Sequence, residues 1–370
     1  MAVFLVAAGG TGGHLFPAEA LAQELEARGH EVQLVTDERA RRFGGAFASD
    51  DVHVVASATL SSRNPLALMR LAITLVRGFL QSRKLLKALK PAAVIGFGGY
   101  PTLPPLMAAQ IGGVPTIVHE ANAVLGRANR RLSRRARAVA VTFAETAGEE
   151  GLSQKAVVTG NPVRRAVLDE AEKGYEAPAP GQPFDLLVFG GSQGARIFAD
   201  LVPAAVGQMA AAERGRLRIV QQCRPEDLAR VRETYDHLGV PAELGSFFVD
   251  LPERIAGADL VIARSGASTV AEIAVIGRAA ILIPFPHALD NDQKANAAAL
   301  ASEGAAVLAE QRTTGPVRLA QLIEERMTDP AGLAAMAEAA RHAGVPDAVA
   351  RLADLAEGIG GVSDLTENEA

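Results

Sequence analysis

Leu5-Val6-Ala7-Ala8-Gly9-Gly10-Thr11-Gly12-Gly13-His14 is the stretch whose reading decides the fold class. An apolar run of strand character breaks into a glycine-rich turn, and a helical pattern begins behind it. The same order recurs at Leu187-Val188-Phe189-Gly190-Gly191-Ser192-Gln193-Gly194-Ala195. Glycines let backbone approach a ligand closely, and the helix N-terminus behind them attracts negative charge. The first turn is not G-x-G-x-x-G, because residue 15 is Leu, and no G-K-[ST] follows. Nicotinamide-dinucleotide and P-loop nucleotide readings therefore lose their main support.

On either side of these turns, short β-rich runs alternate with longer helical stretches. Strands are expected near 3–8, 31–36, 52–56, 92–97, 116–120, 138–142 and 156–159. In the second half they are expected near 184–190, 217–222, 243–248, 259–263, 279–284 and 305–309. Continuously apolar runs such as Ala92–Phe97 and Ala279–Ile283 suit parallel strands buried on both faces. The alternation predicts an α/β chain of two doubly wound, Rossmann-like domains facing a central cleft. A Pro/Gly-dense hinge spans 160–183. The expected domains are 1–160 and 161–356, with the last helix able to pack back on the first, and 357–370 as a flexible tail.

The 370 residues are 49% hydrophobic and 21% charged, which suits two domains and excludes a disordered chain. The single cysteine, Cys223, excludes a disulfide framework and a cysteine-based zinc cluster, and suits a reducing compartment. The N-terminus lacks a basic n-region and reads as a first strand, not a signal peptide. With no run of 18 apolar residues, no transmembrane helix is expected. The net charge of −5 hides an asymmetry. Residues 1–160 hold 18 basic and 12 acidic side chains, and the remainder hold 19 and 30. Residues 61–140 carry 13 basic residues against one acid, Glu120, so an anionic partner is expected on that face. The basic runs lack interleaved aromatics and any nucleic-acid fold signature, so no nucleic-acid partner is expected.

Further motifs fall at expected strand ends, where α/β enzymes bind ligands. Gly96-Phe97-Gly98-Gly99-Tyr100-Pro101-Thr102 is a second Gly-rich turn. Several backbone nests of this kind suit a diphosphate. His119-Glu120-Ala121-Asn122 ends the strand at 116–120, where Glu120 either serves the site or pairs with Arg127 or Arg130. His14, at a helix N-terminus, is disfavoured as a cation and able to accept a proton. Arg264-Ser265-Gly266-Ala267-Ser268-Thr269 opens a helix of anion-binding type. Glu272 suits either a ribose diol or a capping box with Thr269. Asp292 and Gln293 suit sugar hydroxyls or a helix cap, and Arg164 of Thr159-Gly160-Asn161-Pro162-Val163-Arg164 suits a phosphate clamp. Residues 65–90 form a basic amphipathic helix. Its apolar Leu66, Met69, Ile73, Val76, Phe79 and Leu80 stand among Arg70, Arg77, Arg83 and Lys84, a pattern suited to an anionic membrane surface.

These motifs, in this order, resemble the bacterial MurG family of peptidoglycan N-acetylglucosamine transferases. The resemblance implies a GT-B fold and inverting transfer of GlcNAc from UDP-GlcNAc to the C4 hydroxyl of MurNAc in lipid I, giving lipid II. It implies a peripheral enzyme at the cytoplasmic face of the inner membrane, with other cell-wall and division proteins as further partners. By motif, His14 is the candidate general base and His119 the runner-up. Gly10, Gly98, Gly99 and Tyr100 fall to the acceptor. Thr11, Gly12, Gly13, Asn122, Arg164, Ser192, Phe248, Ala267, Ser268, Thr269, Glu272, Asp292 and Gln293 fall to the donor. With no Asp-x-Asp to chelate a metal-bound diphosphate, no metal and no other cofactor is expected. The chain departs from the family at Ala121, often Gln, and at Thr102-Leu103-Pro104, often Ser-Gly-Pro. A glycolipid transferase, a UDP-sugar epimerase or a non-catalytic scaffold are the alternative readings.

Overall fold

The computed structural model describes residues 1–9, 12–38, 47, 51–58, 64–147, 151–152, 154–191, 194–288 and 290–362. The chain divides into two compact units, Met1–Arg164 with Pro346–Ala370, and Arg165–Val345.

Among the described residues, the first unit holds a parallel sheet of β1 (Val3–Ala7), β2 (Glu31–Thr36), β3 (Val52–Val54), β4 (Ala93–Gly96), β5 (Thr116–Glu120), β6 (Ala138–Val141) and β7 (Ala156–Val158). The strand order is β3-β2-β1-β4-β5-β6-β7. Its helices are α1 (Gly12–Ala27), α2 (Pro65–Leu89), α3 (Leu103–Gly112), α4 (Arg127–Ser133) and the short α5 (Ala144–Ala147). The order reverses between β1 and β4, so the turns after these two strands flank the crevice that such sheets use for ligands. Leu5, Val6, Val94, Ile95 and Ile117 are fully buried, because helices cover both sheet faces.

In the second unit the sheet comprises β8 (Phe184–Phe189), β9 (Leu217–Gln222), β10 (Ala242–Gly245), β11 (Leu260–Ala263), β12 (Ala280–Leu282) and β13 (Ala306–Leu308), in the order β10-β9-β8-β11-β12-β13. Around it lie α6 (Arg165–Ala171), α7 (Arg196–Gln208), α8 (Ala211–Arg214), α9 (Leu228–Leu238), α10 (Leu251–Ala256), α11 (Ala267–Ile276), α12 (Asp292–Ser302), α13 (Pro316–Met327) and α14 (Pro330–Ala343). Here the reversal falls between β8 and β11. Arg278, 2% exposed, spends its guanidinium on the carbonyls of Ala256, Ile276, Gly277 and Gly174. It places a cation at the negative C-terminal ends of α10 and α11.

The final helix, α15 (Ala348–Gly360), belongs to the first unit. Leu352, Ala353 and Ala356 are fully buried in that unit's core. Helix α15 is tied to α1 by Arg28, which donates to Asp354 at 2.6 Å and Glu357 at 2.7 Å. The ordered chain runs beyond 357, where the sequence predicts a tail. Ile359 packs on the core and Val362 is 9% exposed, so apolar contact carries the helix further. Residues 363–370 lie outside the described residues.

Helix α2 carries an exposed apolar stripe of Leu66, Met69, Ile73, Val76 and Leu80, between 53% and 60% exposed. Arg70, Arg77, Arg83 and Lys84 are exposed beside it. Phe79 departs from the expected stripe: it is half-buried against the core of the first unit. It shares the inner face with the buried Ser82 and Leu86, three and seven residues on. Gly78 lies on that face too, where an added Cβ would run into the carbonyl oxygen of Ala56.

Candidate active site

In the first unit, the turns after β1 and β4 are stitched together. Phe97 N donates to Ala7 O at 2.8 Å, and Gly9 N donates to Gly98 O at 3.2 Å. Gly98 and Gly99 have φ of 88° and 79°, a conformation that side chains rarely adopt. Their missing side chains make room for His14, in the first turn of α1. A Cβ at Gly98 would lie 3.2 Å from its Cε1, and one at Gly99 would lie 3.3 Å from its Cδ2. Burial lowers the pKa of His14, and a hydrogen bond to the Phe97 backbone opposes that in part. In a neutral ring that donates to a carbonyl, the other nitrogen is an acceptor. His14 therefore keeps one ring nitrogen as an acceptor. Gly13 is exposed and Gly12 buried beside it, and Tyr100 is 40% exposed on the second turn. Gly10 and Thr11 lie outside the described residues.

His119 sits deeper, 1% exposed, with Nε2 3.2 Å from Gly160 O and its ring 5.1 Å from that of Phe97. Burial pushes its pKa down to about 4, and neighbouring His14 adds to the fall. Its Nδ1 has no partner. Glu120, 3% exposed, organises the next loop. It accepts from Asn122 N and Nδ2 at 3.0 Å, Gly126 N at 2.8 Å and Asn129 Nδ2 at 2.9 Å. Burial raises its pKa against these four bonds. Arg130 turns instead to Leu125 O. Asn129 also donates to His119 O at 3.0 Å and was not singled out from the sequence. Its only signal there is a small amide within the basic run Arg127–Arg131.

Arg164 ends a buried segment in which Thr159 is 0%, Asn161 3% and Val163 4% exposed. Its guanidinium carbon lies 4.5 Å from the ring centroid of Phe16 on α1.

In the second unit, α11 starts at the carboxyl end of β11. Its N-cap is Gly266, with no side-chain cap. Thr269 therefore lies inside the helix and does not form the capping box with Glu272 that the spacing allowed. Glu272 is 5% exposed. The Ser268 hydroxyl is buried without a partner, one turn from Glu272 and next to Ala267 and Thr269. Ser265 donates to Gln293 O at 2.7 Å, and Asn296 donates to Ser265 O at 3.1 Å, which docks α12 against this turn. Gln293 accepts from Phe285 N at 2.9 Å, and Asp292 accepts from Gln293 N at 2.9 Å, so both side chains also hold their own loop. Arg264 donates to Ile283 O, Pro284 O and Gln311, and burial lowers its pKa to about 10. The turn after β8 is fixed by Gln222, which accepts from Gly190 N at 2.9 Å. Ser192 lies outside the described residues. Phe248 follows β10, wedged against Gly245 with the Arg254 guanidinium carbon 4.3 Å from its ring centroid. Among the described residues no group of three or more His, Cys, Asp or Glu could hold a metal ion.

Each unit thus has a glycine-rich turn and a helix start at its sheet's reversal point, and known proteins resemble the chain across both units. Residues 4–141 match the glycosyltransferase family 28 N-terminal domain, and residues 185–352 match the C-terminal domain of that family. The chain is 56% identical over 358 residues to the UDP-N-acetylglucosamine--N-acetylmuramyl-(pentapeptide) pyrophosphoryl-undecaprenol N-acetylglucosamine transferase of Brucella anthropi, covering 96% of this chain and 95% of that protein. It is 54% identical over 357 residues to the protein of the same name in Allorhizobium ampelinum, with the same coverage. The crystal structure of Acinetobacter baumannii MurG superposes with a TM-score of 0.78 at 30% identity, over 96% of this chain and 99% of that one. The fold alone is shared with a UDP-GlcNAc 2-epimerase of Neisseria meningitidis, at a TM-score of 0.67 and 16% identity. The two parallel sheets, the turns at both reversal points and relatives that span both units lead to one conclusion: the chain belongs to the MurG family of GT-B glycosyltransferases.

Proposed function

We infer that this chain transfers GlcNAc from UDP-GlcNAc to lipid I, giving lipid II for peptidoglycan synthesis. The observation that carries this reading is the likeness to named transferases along the length of both units.

Transfer from an α-linked donor to a β-linked product inverts the anomeric carbon in a single in-line displacement. The step needs a base on the acceptor C4 hydroxyl and stabilisation of the departing UDP. His14 is the base: it is neutral, its ring is held by Gly9, Gly98 and Gly99, and one ring nitrogen remains an acceptor. His119 is too deep for this role and orients the loop behind it. Gly98, Gly99 and Tyr100 receive the acceptor. In the second unit, Ala267, Ser268 and Thr269 face the donor phosphates, with the uncapped start of α11 supplying N–H groups. Glu272 takes the ribose hydroxyls, the Phe248 backbone the uracil, and Asp292 and Gln293 the sugar. Arg164 meets the diphosphate, and the reaction proceeds without an essential metal.

The enzyme works on an anionic membrane surface, peripherally and at the cytoplasmic face. The exposed stripe of α2 with its basic border supports this, and no helix among the described residues is long and apolar enough to cross a membrane.

The test is an assay of purified protein in EDTA with radiolabelled UDP-GlcNAc and a short-chain lipid I analogue. Label in the lipid-soluble product is the expected result. UDP release without lipid label would overturn the acceptor, and isomerisation of UDP-GlcNAc alone would favour an epimerase. Activity restored only by added divalent cation would overturn the metal-free step.

A further inference from the structure

We propose that Phe16 is a positioning residue for the donor, acting through Arg164; this rests on the reading of Arg164 as the diphosphate contact. Three observations place it. Phe16 lies on α1 two residues after His14 and is half-buried. Its ring stands under the Arg164 guanidinium at 4.5 Å. Gly12 makes room for that ring, since a Cβ there would lie 3.1 Å from Phe16 Cε2.

A long arginine side chain at the end of a segment ordinarily samples many rotamers, and ordering it on ligand binding costs affinity. Here the backbone is already held, because Asn161, Pro162 and Val163 just before it are buried. The ring then holds one face of the guanidinium by cation–π attraction. Such stacking occupies the plane's face and fixes the direction of the in-plane N–H fork that would meet a phosphate oxygen pair. Phe16 touches no reacting atom in this scheme. It presets the arginine that does.

The experiment measures KM for UDP-GlcNAc, KM for the lipid acceptor and kcat, with UDP affinity by calorimetry. The variants are Phe16→Leu, Phe16→Met, Phe16→Tyr and Arg164→Ala, with Phe16→Leu combined with Arg164→Ala. Phe16→Leu is expected to weaken UDP binding and raise donor KM about 3- to 30-fold, the range for a partly desolvated cation–π contact. Acceptor KM and kcat stay near those of the parent, and Phe16→Tyr restores donor KM. Added to Arg164→Ala, Phe16→Leu has no further effect, because its contribution passes through the missing guanidinium. Phe16→Met repeats the measurement if Phe16→Leu fails to fold. Additive losses in the double variant, or a fall in kcat and acceptor affinity equal to the donor effect, would overturn the proposal and show Phe16 to be packing for the His14 turn. Unchanged donor affinity in Arg164→Ala would remove the role of Arg164 itself, and the proposal with it.

Discussion

Two imidazoles in one unit titrate differently from an ordinary histidine because burial lowers both pKa values. Burial lowers the pKa of His14, so its basic form persists below the ordinary histidine range. The acid limb of kcat/KM should therefore fall below about pH 6.5. Replacing His14 by Ala should cut turnover by roughly 10²–10⁴ with donor affinity little changed. A near-normal rate in that variant would remove His14 from the chemistry. His119 speaks instead through stability. Unfolded, it takes a proton near pH 6.5; folded, burial holds its pKa at about 4. Its contribution is complete above pH 6.5 and is lost as pH falls towards 4, by about 3 kcal/mol in all. Denaturant unfolding at pH 7 and pH 4.5 should show this slope, and His119→Gln should flatten it. Both histidines were legible, His14 from its place at a helix N-terminus and His119 from its place at a strand end. Asn129 and Phe16 were not, because a side chain that acts by holding another residue leaves no motif of its own.

Strands were the most legible elements. Each expected strand has a counterpart, from β1 at Val3–Ala7 to β13 at Ala306–Leu308; the central ones are legible because a strand buried on both faces is written as an uninterrupted apolar run, whereas β3, β7 and β10 are only partly buried. Helix α2 was legible as amphipathic, but its inner edge was not. Phe79 looks in because Gly78 lets α2 settle onto Ala56, a long-range fit that periodicity does not encode. Gly78→Val should lift the helix and destabilise the protein by about 1–3 kcal/mol, measured by denaturant midpoint. On the outer face, Ile73→Glu with Leu80→Glu should abolish co-sedimentation with anionic vesicles and leave turnover of a soluble acceptor analogue intact. Arg77→Ala and Arg83→Ala should each weaken vesicle binding by about 1 kcal/mol, an effect that added salt erases. Wild-type binding in the double glutamate variant would take α2 out of membrane contact.

At the scale of the molecule, two sheets with the same reversal logic were legible from the duplicated turn. The return of the last helix to the first unit was legible only as an option, since nothing local in Ala348–Gly360 states which sheet it will cover. That closure is made by Leu352, Ala353 and Ala356 in the core and by Arg28 at the surface. Arg28→Ala should lower the stability of the first unit by about 1 kcal/mol, as expected for a partly exposed ion pair. A chain ending at residue 345 should lose protease resistance across 1–164 and keep it across 165–345. The same arrangement sets an order of events on the ribosome. Residues 165–345 are contiguous and emerge whole, whereas residues 1–164 wait, already translated, for a helix that is translated after them. The later-made half should therefore reach its native state first, reversing the usual N-to-C sequence of domain folding. In the interval, the first-made half leaves one flank of its core bare, and that is when a chaperone would hold it.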